Sequence, residues 1–313
     1  MNTLIVKTPG LLTSVQDLGR EGFGTMGVSA AGAADRVALR IGNRLVGNPE
    51  NRAALEMTLL GGEFHFSEAT VIAATGSDFG ASVDGVHLPS YATAQVKPGQ
   101  SVRFGATRSG ARCYLCVEGG VDVTTTLGSR STDLLAGLGG YEGRAVRKGD
   151  VLPIGAAASR FKTRRISSGA RAALAPRKVL RVTEGPQWTA FSDSARRQFF
   201  EQTYLVTEEA NRMGIRLQGV PLDFSHSGEM ITEGVSLGAI QVPAGGQPII
   251  LFVEQQTTGG YPKLANVIVT DLESLGQLRP RDEIGFALVT MGEARTLLIA
   301  REQLLASPAL IEE

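Results

Sequence analysis

The sequence has no charge excess: Lys+Arg and Asp+Glu are both 31, for a formal net charge of +0. Phosphate binding normally shows as a basic excess, so nucleic acid is not the expected main partner. Cysteine is nearly absent. Its two copies, Cys113 and Cys116, sit in "ARCYLCVEGG", which reads as a strand. Positions three apart on a strand face opposite ways, so the sulfurs should diverge. A zinc site would need further ligands, and His65, His87 and His226 show no paired spacing. Two reduced, structural cysteines and no metal are expected. Long apolar runs are also lacking. The longest are about six residues against the roughly 18 needed to span a bilayer. The opening "MNTLIVKTPG" has no apolar core of the roughly 7–15 residues a signal peptide uses. A cytoplasmic protein without a membrane span or targeting segment is the expectation.

Catalytic signatures are missing as well. There is no G-x-x-x-x-G-K-[ST], no G-x-S-x-G and no H-E-x-x-H. Glycine, by contrast, is abundant, at 39 of 313 residues. That is well above the usual share of roughly 7% and implies many tight turns between short strands. Hydrophobic residues make up 42%, enough for a sizeable core. "KVLRVTEG", "GAIQVPAGGQPIILFV", "ANVIVTDL" and "ARTLLIA" read as strands, and Asp84-Gly85 as a hairpin turn. Helices are few. "GAADRVALRIGNRLVGNP" places Ala34, Val37, Ala38, Ile41 and Leu45 at helical spacing, stopped by Gly47 and Pro49. Asp35 falls in its first turn, where an acid favours a helix N-terminus. A second helix is expected over 192–202 with Ser192 as N-cap, and a short one after Asp271.

One pattern recurs in "KPGQSVRF" (97–104), "RKGDVLPI" (147–154) and "RPRDEIGF" (279–286). Each reads as a polar turn feeding a half-buried strand. The first and third are followed by similar text, "GATRSGARCYLCV" and "ALVTMGEARTLLIA". Two β-rich units are therefore expected: residues 1–160, a linker at 161–178, and residues 179–313. The basic stretch before Lys178 is read as solvated linker.

Loops rich in Gly, Arg and short polar residues stand out: 13–24, 127–134, 209–219, 239–243 and "EQQTTGGYPK" at 254–263. Each alone reads as a surface turn. Together, arginines among Ser, Thr and Gln suit carboxylate or amide recognition. The Gly-Gly of the last loop leads into a strand, whereas Walker-type phosphate loops lead into a helix.

"GLLTSVQDLGREGFG", "ALEMTLLGGEFHF", "ATGSDFGASVDG", "GSRSTDLLAGLGG", "NRMGIRLQG", "EGVSLGAIQVPAGGQPIIL" and "QTTGGYPKLANVIVTDL" occur in this order. Together they resemble the 5-oxoprolinase C-subunit family. It is also called the allophanate-hydrolase-subunit-2-like, KipA or biotin-dependent carboxyltransferase family. The likeness runs from about Leu11 to about Ala300. Two departures are "VSAAGAAD" at 28–35, where the family usually reads "GVPxSGAMD", and "TEG" at 232–234 for the family's "SEG". The resemblance implies a mainly β fold of two cyclophilin-like β-barrel units with a few short helices. It implies a KipI-like B subunit as partner, together with an A subunit. The implied activity is ATP-dependent opening of 5-oxoproline to glutamate, an amidohydrolase reaction of the complex. The alternatives are carboxyl transfer from carboxybiotin to urea, or a non-catalytic KipA-type regulator. Carboxyl transfer would need biotin on a separate carrier, since none of the Met precedes a Lys.

In that frame Thr257, Thr258 and Lys263 are the candidate catalytic residues. Gln256, Gly259, Gly260, Tyr261, Arg130, Ser131, Thr132, Gln241 and Arg20 are the candidate substrate-binding residues. Arg130 or Lys263 is expected to hold a substrate carboxylate. Glu56 is expected either to bind or to pair with an arginine.

Overall fold

A computed structural model describes residues 2–156, 161–224 and 230–313; His226 lies outside them. The chain is mainly β and divides into two units. The first comprises Met1–Glu21, Ala31–Leu174 and Leu304–Glu313; the second comprises Gly22–Ala30 and Ala175–Gln303. The C-terminal segment thus belongs with the first unit rather than, as the sequence pattern suggests, with the second. The stretch expected as linker also carries structure. Arg165–Ile166 pairs with Ile311–Glu312, and a helix spans Ser168–Ala173 behind the N-cap Ser167. That pairing partner is remote in sequence, so no local pattern announces it.

Besides that two-stranded pair, the first unit holds two larger antiparallel sheets. One has six strands, in the order Val151–Pro153, Thr3–Thr8, Glu63–Phe66, Ser101–Arg103, Ser82–Val83 and Val86–His87. The other has five: Leu12–Gln16, Ala54–Thr58, Arg112–Val117, Thr70–Gly76 and Thr93–Val96. The strand Arg112–Val117 is buried along its whole length. Its alternate residues Cys113, Leu115 and Val117 belong to one core, with Phe64, Phe66 and Leu152. Tyr114 and Cys116 belong to another, with Leu39, Ile41 and Leu45 of the helix Arg36–Leu45. The two sulfurs therefore face opposite ways, as the spacing required, and both thiols are free. Burial pushes the Cys116 thiol up to about 12 and keeps it protonated. Asp35 caps the helix, accepting from the Ala38 N–H at 2.8 Å. Asp84 and Gly85 both take positive φ, 48° and 83°, which closes the hairpin between Ser82–Val83 and Val86–His87.

The second unit is a closed barrel of seven strands. Around it run Val179–Glu184, Lys263–Val267, Ala239–Gln241, Ile249–Leu251, Gly214–Gln218, Tyr204–Val206 and Glu283–Leu288. Val179–Glu184 and Glu283–Leu288 pair in parallel and close the ring. The helix Asp193–Glu201, capped by Ser192, stacks Phe199 on Phe286 at 4.4 Å between ring centres. A short helix at Leu272–Gly276 follows Asp271.

"ARTLLIA" is not a strand. It lies within the helix Met291–Ala306. Thr290 and Glu293 form a capping box there: the Thr290 N–H donates to Glu293 Oε2 at 2.7 Å, and the Glu293 N–H donates to Thr290 Oγ1 at 3.2 Å. The Thr-x-x-Glu signal is present in the sequence, and the likeness to the strand at 112–117 masks it.

The recurring turn is real at the level of single bonds. In each copy the basic residue's N–H donates to the side chain three residues on. Lys97 donates to Gln100 at 2.8 Å, Arg147 to Asp150 at 2.7 Å and Arg279 to Asp282 at 2.7 Å. The third residue is left-handed in all three: Gly99 at 82°, Gly149 at 93° and Arg281 at 70°. Glycine takes that conformation freely, whereas a side chain is strained by about 1–2 kcal/mol. Arg281→Gly is therefore expected to raise stability by about 0.5–1 kcal/mol, after the greater chain entropy of glycine is subtracted. The exposed Arg281–Glu208 pair it removes contributes little. Denaturant unfolding measures the change, and a loss of stability would show that the ion pair outweighs the strain.

Candidate functional site

Most of the candidate residues gather at one place in the second unit. The strand Ala239–Gln241 ends opposite the start of Lys263–Val267, with Gln241 facing Lys263 across an irregularity in register. Beside them Glu233–Gly234 pairs with Thr258–Gly259 as a short ribbon, Glu233 opposite Gly259. The loop between is pinned from below. Glu254 is buried in an ion pair with buried Arg212, and the Gln255 side chain donates to the Val235 carbonyl at 3.2 Å. This anchoring leaves Gln256, Thr258 and Tyr261 exposed. The Val235 N–H extends the ribbon by donating to the Thr257 carbonyl at 3.1 Å.

Residues directly opposite on an antiparallel pair share a face. Glu233 therefore lies on the face from which a side chain at Gly259 would rise. A Cβ built there would come within 2.5 Å of Gln241 Nε2 and 2.9 Å of Gln256 Nε2. Glycine at 259 is what lets two carboxamides lie against the ribbon. Gln241 is only 2% exposed, and its Nε2 has no hydrogen-bond partner among the described residues. A buried amide donor without an acceptor costs about 1–3 kcal/mol.

Lys263 is 3% exposed, and its Nζ lies on Glu233 Oε1. Gln187 completes the arrangement, donating from Nε2 to the same oxygen at 2.9 Å and accepting the Lys263 N–H at 3.0 Å. The Lys263 ammonium, then Gln187, holds the Glu233 carboxyl below its ordinary range and keeps it ionised. Lys263 is thus paired with Glu233 within this chain. Gln187 carries no signal in the sequence. Glu233 lies in the "TEG" stretch, where sequence alone assigns the glutamate no role.

Arg20, Arg130, Ser131 and Thr132 lie in the first unit and do different work. Asp17 is their centre. Its Oδ1 accepts from the Ser129 hydroxyl at 2.6 Å and the Ser131 hydroxyl at 2.5 Å, and its Oδ2 from the Arg130 N–H at 2.6 Å. The Thr132 hydroxyl donates to the Val15 carbonyl at 3.0 Å, and Arg20 Nη2 donates to the Ser131 carbonyl at 2.5 Å. Arg130 reaches Asp122 and the Val123 carbonyl. These side chains stitch the loop at 127–134 onto the strand Leu12–Gln16. Ser131 and Thr132 are fully buried, with their hydroxyls bonded within the chain. Glu56 is buried too, at 3.6 Å from the Arg112 guanidinium, and accepts from the Ala34 N–H and the Tyr114 hydroxyl.

A separate cleft of about 780 Å³, lined by Glu208, Glu209, Arg216 and Arg281 among others, contains none of the expected residues. No group of three or more His, Cys, Asp or Glu among the described residues is placed to hold a metal ion. No described helix is long and apolar enough to cross a membrane.

The profile of the carboxyltransferase domain, subdomain A and B, matches residues 26–288. The chain belongs to the carboxyltransferase-domain family. Within that family it is 39% identical over 287 residues to the 5-oxoprolinase C subunit of Escherichia coli (strain K12), covering 91% of each chain. It is 37% identical over 284 residues to the 5-oxoprolinase C subunit of Haemophilus influenzae, covering 91% of this chain and 90% of the relative. The crystal structure of the K. lactis urea amidolyase superposes with a TM-score of 0.91 at 31% identity. That match covers 99% of this chain and 20% of the amidolyase, so this chain spans about a fifth of that protein. The ribbon site and all its residues fall inside the matched domain.

Proposed function

We propose that the chain is one component of an ATP-dependent 5-oxoprolinase that opens the lactam of 5-oxoproline to glutamate, acting with a KipI-like B subunit and an A subunit. The observation that carries this is two-way correspondence: relatives named as the C subunit of 5-oxoprolinase are matched over nine-tenths of their length as well as of this chain. The ribbon supports the chemistry. Opening a lactam places growing negative charge on its carbonyl oxygen. A preorganised donor at such an oxygen contributes on the order of 3 kcal/mol. Gln241 Nε2 is such a donor, buried and without an acceptor among the described residues.

ATP fits this loop poorly. Gly259 and Gly260 lead into the strand Lys263–Val267 rather than a helix, and the lysine is buried against Glu233. A nucleotide site is better sought in the assembled complex.

Carboxyl transfer is the second reading, favoured by the likeness to the urea amidolyase. The same donor fits the ureido carbonyl of a biotin brought on a separate carrier, whose oxygen becomes anionic as CO₂ leaves.

The test is reconstitution with the A and B subunits, ATP and 5-oxoproline. ATP-dependent glutamate release is expected, and Lys263→Met should reduce it by about 100-fold by freeing Glu233 from its position. A complete complex that turns over neither ATP nor lactam would overturn the reading.

A further inference from the structure

We propose that the cleft on the outer face of the barrel is a second binding site, for a free α-amino acid with an apolar side chain. Arg216 and Arg281 take its carboxylate, and Glu208 and Glu209 take its ammonium. The cleft shares no residue with the ribbon, and the proposal stands apart from the reaction proposed above.

At about 780 Å³ the cleft has room for a small molecule. Alternation along the strand Gly214–Gln218 builds one side of it. Ile215 and Leu217 are buried, while Arg216 and Gln218 turn outward. Leu205 is opposite Gln218 and Ile249 is opposite Arg216, so both share that outer face. The loop at 243–248 also lines the cleft. Its Gln247 carboxamide accepts the Gly219 N–H at 2.9 Å and donates to the Gly219 carbonyl at 3.0 Å, which fixes the loop in place.

Arg281 carries the inference furthest. It takes the left-handed position, φ 70°, that Gly99 and Gly149 fill in the two sister turns. A side chain there strains the backbone and glycine does not. Of the three left-handed residues, Arg281 is the one that lines the cleft. Strain of this kind gathers at ligand-contacting positions. The lining also holds the Thr207 hydroxyl, which has no hydrogen-bond partner among the described residues.

Charge sets the ligand class. Arg281 Nε donates to Glu208 at 3.0 Å, and Arg216 Nε lies 3.5 Å from Glu209. All four side chains are exposed, so both pairs are weak and open to exchange. Two cations and two anions leave no net charge. A lone anion meets repulsion from the glutamates, and a lone cation meets it from the arginines. A ligand with both signs close together avoids both, and an α-amino acid carries them on one carbon. Leu205, Pro243 and Ile249 supply apolar surface for its side chain.

The test uses the full chain and ligand-observed NMR with three probes of one shape: L-leucine, 4-methylpentanoate and 3-methylbutylamine. Leucine is expected to bind saturably, with a Kd below about 10 mM. The other two each lack one charged group and should bind at least about tenfold more weakly. Arg281→Gly should weaken leucine binding at least about tenfold while the unfolding midpoint rises, because the variant relieves strain as it removes a contact. Arg216→Met, on an exposed strand face, should weaken it by a similar factor. Gly259→Ala, in the ribbon, should leave leucine binding unchanged. No saturable leucine binding, equal or tighter binding of a single-charge probe, or leucine affinity unchanged in either arginine variant would overturn the proposal. Loss of leucine binding in Gly259→Ala alone would place the ligand at the ribbon and overturn it too.

Discussion

Gly259→Ala is expected to lower turnover of the assembled enzyme by about 100-fold while leaving the fold intact. The added methyl would sit 2.5 Å from Gln241 Nε2 and 2.9 Å from Gln256 Nε2, closer than real side chains approach. Both neighbours are the far ends of flexible side chains, so they swing away at little energetic cost. The donor they present is then displaced by an ångström or more, which is enough to forfeit most of its benefit. Gly259 has no positive φ, so alanine adds no backbone strain and slightly lowers the entropy of the unfolded chain. Stability should stay within about 1 kcal/mol of the parent. Gly234→Ala is the control. It lies on the opposite face of the same ribbon, and nothing stands within 4 Å of its Cβ position. Turnover equal in both variants would remove the ribbon from the chemistry.

Glu56→Ala is expected to destabilise the first unit by about 3–5 kcal/mol, the usual result of removing one partner of a buried ion pair. Glu56 and Arg112 are 2% and 6% exposed. The same carboxylate accepts the Ala34 N–H at 2.9 Å and the Tyr114 hydroxyl at 2.7 Å, while that hydroxyl in turn accepts the Asp35 N–H at 2.8 Å. Its loss strips the acceptor from the chain entry into the helix Arg36–Leu45. Glu56→Gln keeps an acceptor oxygen and should lose about half as much. Denaturant unfolding followed in the first unit gives both numbers. A loss below about 1 kcal/mol would mean that the carboxylate is not needed for folding and would return Glu56 to the candidates for ligand binding.

Several features were legible because a short-range rule decides them. The alternation of "CYLC" sends Cys113 and Cys116 to different cores, the Asp84-Gly85 pair closes a hairpin, and Asp35 and Ser192 cap helices. The three copies of the polar turn make the same side-chain bond. Likeness beyond the turn misled. "ARTLLIA" resembles the strand at 112–117, yet the Thr290–Glu293 capping box makes it helical. The polar loops misled in another way. Ser131 and Thr132 have the composition of a binding loop, but their hydroxyls donate to Asp17 and to the Val15 carbonyl, and Arg20 Nη2 donates to the Ser131 carbonyl.

The sequence by itself determined the mainly β character, the family, the turns and caps, and the loop at 254–263 as the region of interest. Each follows from neighbours a few residues apart or from an ordered string of motifs. Only the tertiary structure decided what that loop packs against. Glu233 meets Lys263 because a ribbon and a barrel strand converge, and Gln187 joins them from far along the chain. Gln241 becomes a donor without an acceptor among the described residues because the barrel buries it against a glycine. Burial and pairing of polar groups are properties of packing between distant segments, and no local pattern of residues encodes them.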